Sequence, residues 1–293
     1  MKILLCAIPI FIITMLIELR LSRGRDIKGY EAKDTAASLA MGIGNLFVMF
    51  GTKIFTFALY MAAYEYRIFE IPTDAWWVWI VLITADDFIY YWFHRAGHEI
   101  RLFWAAHVNH HSSEHYNLST ALRQSWTAPF LGWPFWIILP LLGFHPLMLG
   151  ISQVINLLYQ YWLHTELIDR MGPYQLVFVT PSHHRVHHGA NPQYLDRNHG
   201  GIFIIWDRLF GTFEPETTRP TYGLTTNLES YNIFVIAFHE WAAIARDLFA
   251  AESWRGRLGY LFGPPGWRED GQGVTSRMLR DQELRISYPD AQG

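Results

Sequence analysis

The sequence predicts an all-α integral membrane protein in which four to five transmembrane or re-entrant helices are capped by a cytosolic histidine-rich helical domain. Three observations carry that prediction. Apolar runs at residues 3–17, 37–64, 76–93, 126–143 and 146–163 alternate with short polar stretches. Charged residues are only 17% of the chain and aromatics 16%, including 13 Trp, against about 25% charged in ordinary soluble domains, a bias that suits wide membrane interfaces. Histidines gather at His94, His98, His107, His110 and His111, and again at His183, His184, His187 and His188.

The first run, 3–17, is followed by Arg20, Arg23, Arg25, Lys28 and Lys33. A secretory leader carries its basic flank before the apolar core. The order here reads as a retained helix whose C-terminal end lies in the cytosol, by the positive-inside rule; the interspersed Glu18, Asp26, Glu31 and Asp34 weigh little in it. Run 37–64 is long enough to cross a hydrocarbon core of roughly 30 Å. Loop 65–75 has one basic residue and suits the outer side, and run 76–93 returns the chain to deliver His94 to the cytosolic face. Runs 126–143 and 146–163 flank a turn at Gly143-Phe144-His145-Pro146. Either as two spans or as a shallow re-entrant hairpin, they bring His164 out on the same side as His94. Residues 231–250 have apolar positions at helical spacing and read as an amphipathic helix lying on the membrane. Beyond Pro264-Pro265-Gly266-Trp267 the tail is polar, with Tyr288 its one aromatic residue, and reads as peripheral.

The net charge of −3 gives no basic field for nucleic acid. The single cysteine, Cys6, excludes an internal disulfide and a thiolate metal cage, so any metal is held by nitrogen and oxygen. On a helix, positions i and i+4 share a face, so His94 and His98 suit one ion. In H-x-x-H-H, seen at 107–111 and 184–188, the outer residues share a face and the adjacent one turns toward a second ion. With His164, these make nine well-placed imidazoles, the economical count for two ions with four or five nitrogens each; His183 is a further ligand or the neighbour of one. Imidazole suits Zn, Cu, Fe or Ni. H-E-x-x-H is absent, and no E-x-x-H pair supports a carboxylate di-iron bundle. Two histidine-rich ions at a membrane face, beside an apolar cavity, suit O₂ activation by non-haem iron. His145 and His239 read as ordinary structural histidines, and His115 is balanced between the two readings. Asp86 and Asp87 lie inside an apolar run, where an ionisable group is costly and is functional or paired. Asp87 shares the face of His94, where it either orients a ligand imidazole or pairs with a cation such as Arg95.

The motifs resemble the fatty acid hydroxylase and sterol desaturase superfamily of membrane di-iron oxygenases, and within it the alkylglycerol monooxygenase branch and its bacterial relatives. The resemblance rests on DFIYYWFHRAGHE at 87–99, HHSSEHYNLSTALRQS at 110–125, NLLYQYWLHTE at 156–166, TPSHHRVHHG at 180–189 and IIWDRLFGTFEPE at 204–216. It implies one hydroxylase-type domain over 1–293, with its core at about 80–215 and a peripheral segment at 216–293. It implies metal-ligand roles for His94, His98, His107, His110, His111, His164, His184, His187 and His188. Glu99 matches a family glutamate associated with catalysis or pterin use. Gln160 falls where some lipid hydroxylases have another histidine. His199 stands where relatives commonly have Tyr, as an extra ligand or, preferably, a neutral swap. The implied chemistry is hydroxylation of a lipid C–H bond by two iron ions and O₂. The electrons come from an external donor: tetrahydrobiopterin if the chain follows the ether-cleaving branch, ferredoxin or cytochrome b5 otherwise. The expected site is the cytosolic face of a bacterial inner membrane or the endoplasmic reticulum. A histidine-rich metal transporter and a zinc-dependent membrane hydrolase are the rival classes.

Overall fold

The computed structural model describes residues 2–25, 27 and 29–287; the sequence readings that rest on Asp26, Lys28 and Tyr288 fall outside them. The described residues form helices joined by loops and short 3₁₀ turns, with no strand longer than an isolated bridge. The helices are α1 (Lys2–Ser22), α2 (Ala32–Tyr64), α3 (Trp76–Glu99), α4 (Arg101–Trp104), α5 (Val108–His111), α6 (Ala128–Trp136), α7 (Ile138–Leu142), α8 (Pro146–Tyr161), α9 (Pro181–His187), α10 (Ile205–Phe210), α11 (Ile233–Ala250), α12 (Trp254–Phe262) and α13 (Ser276–Ser287).

Helix α2 starts where Glu31 accepts the Asp34 amide at 2.7 Å, which satisfies one of the free N–H groups of its first turn. Among the described residues it is the one helix long and apolar enough by itself to cross a membrane; its 33 residues span about 50 Å at 1.5 Å each. Ile43, Phe47, Phe50, Ile54 and Phe55 along it are exposed, as are Ile10, Ile13 and Leu16 on α1 and Trp76, Trp77 and Ile80 on α3. Exposed apolar faces this wide mark a surface that meets lipid or a partner. Run 126–143 is not one helix. It divides into α6 and α7 around Pro134 and Pro140, because proline lacks the N–H that helix continuation needs. Gly143 ends α7 in the left-handed region at φ 113°, where a side chain would strike the Phe69 carbonyl. Helix α8 then begins on His145, whose Nδ1 accepts the Leu147 amide at 3.2 Å, with Pro146 in its first turn. The structural reading of His145 therefore holds.

Tyr60, Val78, Leu82, Trp136, Leu139, Phe144, Met148 and Leu149 pack α2, α3, α6, α7 and α8 into one apolar core. Asp86 sits inside it, paired: its carboxylate accepts Trp136 Nε1 at 2.6 Å and the Ser152 hydroxyl at 2.8 Å, so it fastens α3 to α6 and α8. A second core, of Ala37, Met41, Ile236 and Ala237, holds α11 on α2. Helix α11 is amphipathic as its sequence predicts. One stripe is buried, and Phe234, Phe238 and Phe249 remain exposed.

The polar segment 107–125 is bolted to α2 by a buried ion pair. Arg123 binds the Asp34 carboxylate, and its other nitrogens reach Ser38 and Ser112 at 3.1 Å. Asp34 also accepts Ser113 Oγ at 2.7 Å. Glu18 on α1 does similar work, accepting the Leu118 amide at 2.8 Å and the Tyr30 hydroxyl at 2.6 Å. The C-terminal segment is less peripheral than its polarity implies. Arg280 of α13 bonds Asp196 at 3.0 Å, and residues around 265–279 form a wall of the cavity described next.

Candidate metal centre

The clustered histidines converge from five places: the end of α3, the turn before α5, α5 itself, the residues after α8, and α9. They divide into two sets. His94, His98, His107, His111 and His187 form one, and His110, His164, His184 and His188 the other; within each, the donor atoms lie within 4.8 Å of one another. The partition follows helical geometry. The i,i+4 pairs 94/98, 107/111 and 184/188 each stay together. Their neighbours His110 and His187, turned about 100° per residue, cross to the opposite set.

The hydrogen bonds assign the tautomers. Nδ1 of His94 meets the His199 carbonyl at 2.8 Å, that of His187 the Arg197 carbonyl at 2.9 Å, that of His164 the Gln160 carbonyl at 2.9 Å and that of His110 the Arg123 carbonyl at 3.3 Å. A carbonyl only accepts, so each of these Nδ1 atoms carries the proton and each Nε2 presents a lone pair. Yet His164 Nε2 faces His110 Nε2 at 3.2 Å. Two lone pairs at that distance repel unless a cation lies between them. The other facing nitrogens, His94–His107 at 3.0 Å, His111–His107 at 3.1 Å and His184–His164 at 3.1 Å, match the roughly 3 Å between cis ligands each about 2.1 Å from one ion. His98, His187 and His188 have buried Nε2 atoms with no partner, which is costly unless a metal takes them. Burial, reinforced by neighbouring imidazoles, pushes His110, His111, His184, His187 and His188 well below the usual histidine range, which keeps them neutral, the form that binds metal. The residues present thus fit two ions.

The outer shell corrects the reading of Asp87. It touches neither a ligand imidazole nor Arg95. Its carboxylate accepts Asn156 Nδ2, the amides of Ile202 and Phe203, and Trp206 Nε1, at 2.7 to 3.0 Å. A carboxylate filled by four donors inside the fold has none left for an imidazole. Asp207, which sequence reasoning passed over although it lies in the quoted 204–216 run, takes the amides of His199 and Gly200 at 2.7 and 2.8 Å and the Thr212 hydroxyl at 2.7 Å. Together the two carboxylates hold the 199–203 backbone, whose first carbonyl orients His94. The signal available in the sequence was Gly200-Gly201 beside Asp207: a side chain at Gly201 would meet Asn156 Oδ1 and Asp87 Oδ1 at 2.6 Å. Gly201→Ala is therefore expected to push this loop off Asp87 and lower metal content, measured on purified protein, with a stability loss of about 1–3 kcal/mol for the amides left unpaired.

Glu99 makes a surface ion pair with Arg95 at 2.9 Å and joins neither set. The Gln160 side chain accepts the Tyr90 hydroxyl at 2.7 Å and donates to Asn156 at 2.6 Å, so it is turned away from the imidazoles. His183 is outside both sets, its ring against Phe213 at 5.6 Å. His115 donates to the Gly29 carbonyl at 3.1 Å and His239 to its own helix, both structural contacts. Asp196 stands 3.7 Å from His98 Nδ1.

A cavity of about 350 Å³ opens onto both sets at His98, His111, His187 and His188. Its lining is mixed, with Leu195, Leu224 and Val274 beside the polar groups. Arg101, bound to Glu240 and Asp247 at 2.7 Å each, lines it together with the imidazoles. Trp104 and Trp267 add aromatic walls.

A helical fold with broad exposed apolar faces and two adjoining sets of neutral imidazoles defines a membrane-type histidine metalloprotein. Residues 79–212, which include all nine donor histidines, match the fatty acid hydroxylase family model. It is 39% identical over 265 residues to alkylglycerol monooxygenase of Homo sapiens and 40% identical over 263 residues to that of Danio rerio, covering 89% of this chain in both cases. The chain spans 59% of the length of each of these relatives. It is 34% identical over 150 residues to the ornithine lipid hydroxylase OlsE of Rhizobium tropici, covering 49% of this chain and 44% of the relative. No solved structure matches.

Proposed function

We propose that the protein is a membrane non-haem di-iron oxygenase that hydroxylates a lipid C–H bond, the carbon beside the ether oxygen of an O-alkyl glycerolipid being the first candidate. The observation that carries the reading is the pair of lone-pair-facing imidazole sets in a chain so similar to alkylglycerol monooxygenases. Bound iron would supply the O₂ chemistry: one oxygen atom enters the C–H bond, the other leaves as water, and two electrons and two protons are consumed. Hydroxylation beside an ether oxygen gives a hemiacetal, which collapses to an aldehyde and free glycerol. The nine histidines would hold the ions, and the backbone carbonyls at 160, 197 and 199 aim three of the rings. The cavity would give an external reductant, whether tetrahydrobiopterin, ferredoxin or cytochrome b5, a route toward the imidazoles. The OlsE relationship supports a second substrate class, aminolipids; acyl chains and sterol-like rings fall within the same chemistry.

In this reading the chain crosses the membrane more than once, with α1, α2 and α3 against lipid and the centre at the cytosolic face. Helices α6 with α7 and α8 alone, of 9, 5 and 16 residues, reach only about 20–25 Å per arm at 1.5 Å per residue. That favours a re-entrant hairpin over two full spans. The gathering of the donors in one place disfavours a transport path along several helices, and a catalytic zinc site needs about three ligands and an open position, not nine histidines. Purified protein is expected to hold two irons per chain and to consume O₂ in proportion to lipid oxidised. Stoichiometric zinc with turnover indifferent to O₂ would sink the reading.

A further inference from the structure

His199 is fully buried, and neither of its ring nitrogens has a hydrogen-bond partner. Its backbone is fixed at both ends of the residue, the amide on Asp207 at 2.7 Å and the carbonyl under His94 Nδ1 at 2.8 Å, so only the side-chain torsions are free. The ring faces three members of the five-histidine set, with centroids 5.1 Å from His98 and 5.8 Å from both His94 and His187. Those separations lie within the span found among the five themselves, from 4.3 Å for His94–His187 to 6.3 Å for His107–His187. The Asp207 and Tyr91 side chains beside it are taken. The Asp207 carboxylate is filled by two amides and Thr212. The hydroxyl of Tyr91, whose ring lies 6.2 Å away, meets Thr212 and Arg95.

We propose that His199 is a sixth, exchangeable imidazole ligand of the ion held by the five-histidine set. It stands outside the group of donors that lie within 4.8 Å of one another, so it engages by a side-chain rotation about its pinned backbone and is not locked in place. A buried imidazole with two idle nitrogens costs free energy that coordination recovers. With His199 engaged, that ion is saturated by nitrogen, and the four-histidine set becomes the side that admits exogenous molecules. The inference rests on the di-iron reading above.

The test is ⁵⁷Fe Mössbauer spectroscopy of the iron-loaded full chain beside His199→Phe, with His183→Phe as the comparison, since His183 is also buried but its ring lies against Phe213. The expected result is two irons per chain in all three, with the quadrupole splitting of one iron changed in His199→Phe and both unchanged in His183→Phe. Should His199→Phe fail to assemble, His199→Gln, which keeps volume and polarity, gives the same comparison. Two irons per chain with neither signal altered by the position 199 substitution would overturn the assignment and leave the di-iron reading intact. A wild-type chain that cannot be loaded with two irons would overturn the di-iron reading itself.

Discussion

His110→Ala and His187→Ala are each expected to lower lipid turnover by more than about 100-fold, since loss of even an outer-shell partner typically costs 10–100-fold, while the protein still inserts into membranes. His110 belongs to the four-membered set and His187 to the five-membered one, so the two substitutions test the halves separately. Both residues lie on short helices, α5 and α9, away from the apolar core of Tyr60, Leu82, Trp136 and Met148. Insertion depends on that core and on the lipid-facing surfaces, which neither substitution touches. Membrane fractionation, metal content and turnover measured together decide the matter. Full activity in either variant would show that the ligand set is wrong.

The second large effect is on stability. Asp34→Ala would leave the Arg123 guanidinium buried, with 1% of the residue exposed, and without its carboxylate. Breaking a buried ion pair from one side costs about 3–5 kcal/mol. The damage reaches the metal centre, because the Arg123 carbonyl is the acceptor for His110 Nδ1. Thermal unfolding in detergent should show a markedly lower midpoint, and metal content should fall with it. Replacing Asp34 and Arg123 together by apolar residues of similar volume is expected to recover part of the stability, since the penalty comes from the orphaned charge. A single substitution as stable as the parent would show that the pair holds nothing together.

The donor histidines were legible because their spacing is local: one helical turn separates the members of each pair, and a turn has the same geometry in any fold. The rotation of His110 and His187 to the opposite set follows from the same rule. What places these short segments against each other was not legible. The Arg123–Asp34 bolt joins residues 89 positions apart, and Asp87 grips amides 115 and 116 positions away. No periodicity encodes such pairings. The helix face of Asp87 offers it a ligand imidazole or a cation such as Arg95, whereas tertiary contacts give its oxygens to Asn156, Ile202, Phe203 and Trp206. The polarity of the tail beyond Trp267 likewise predicts a peripheral segment, whereas Arg268, Val274, Ser276 and Leu279 wall the cavity. The apolar runs were legible as helices, but the prolines at 134 and 140 mattered more than the hydropathy around them.

The crossing of His110 and His187 between sets has a consequence for how the centre fills. Helices α5 and α9 each lend donors to both halves, so the first ion to bind fixes both helices and lowers the ordering cost for the second. On the di-iron proposal, uptake should then be cooperative, with a metal titration showing the second ion bound more tightly than the first by a coupling of about 1–3 kcal/mol. Under limiting iron, such a centre would hold fewer half-filled molecules than two independent sites would.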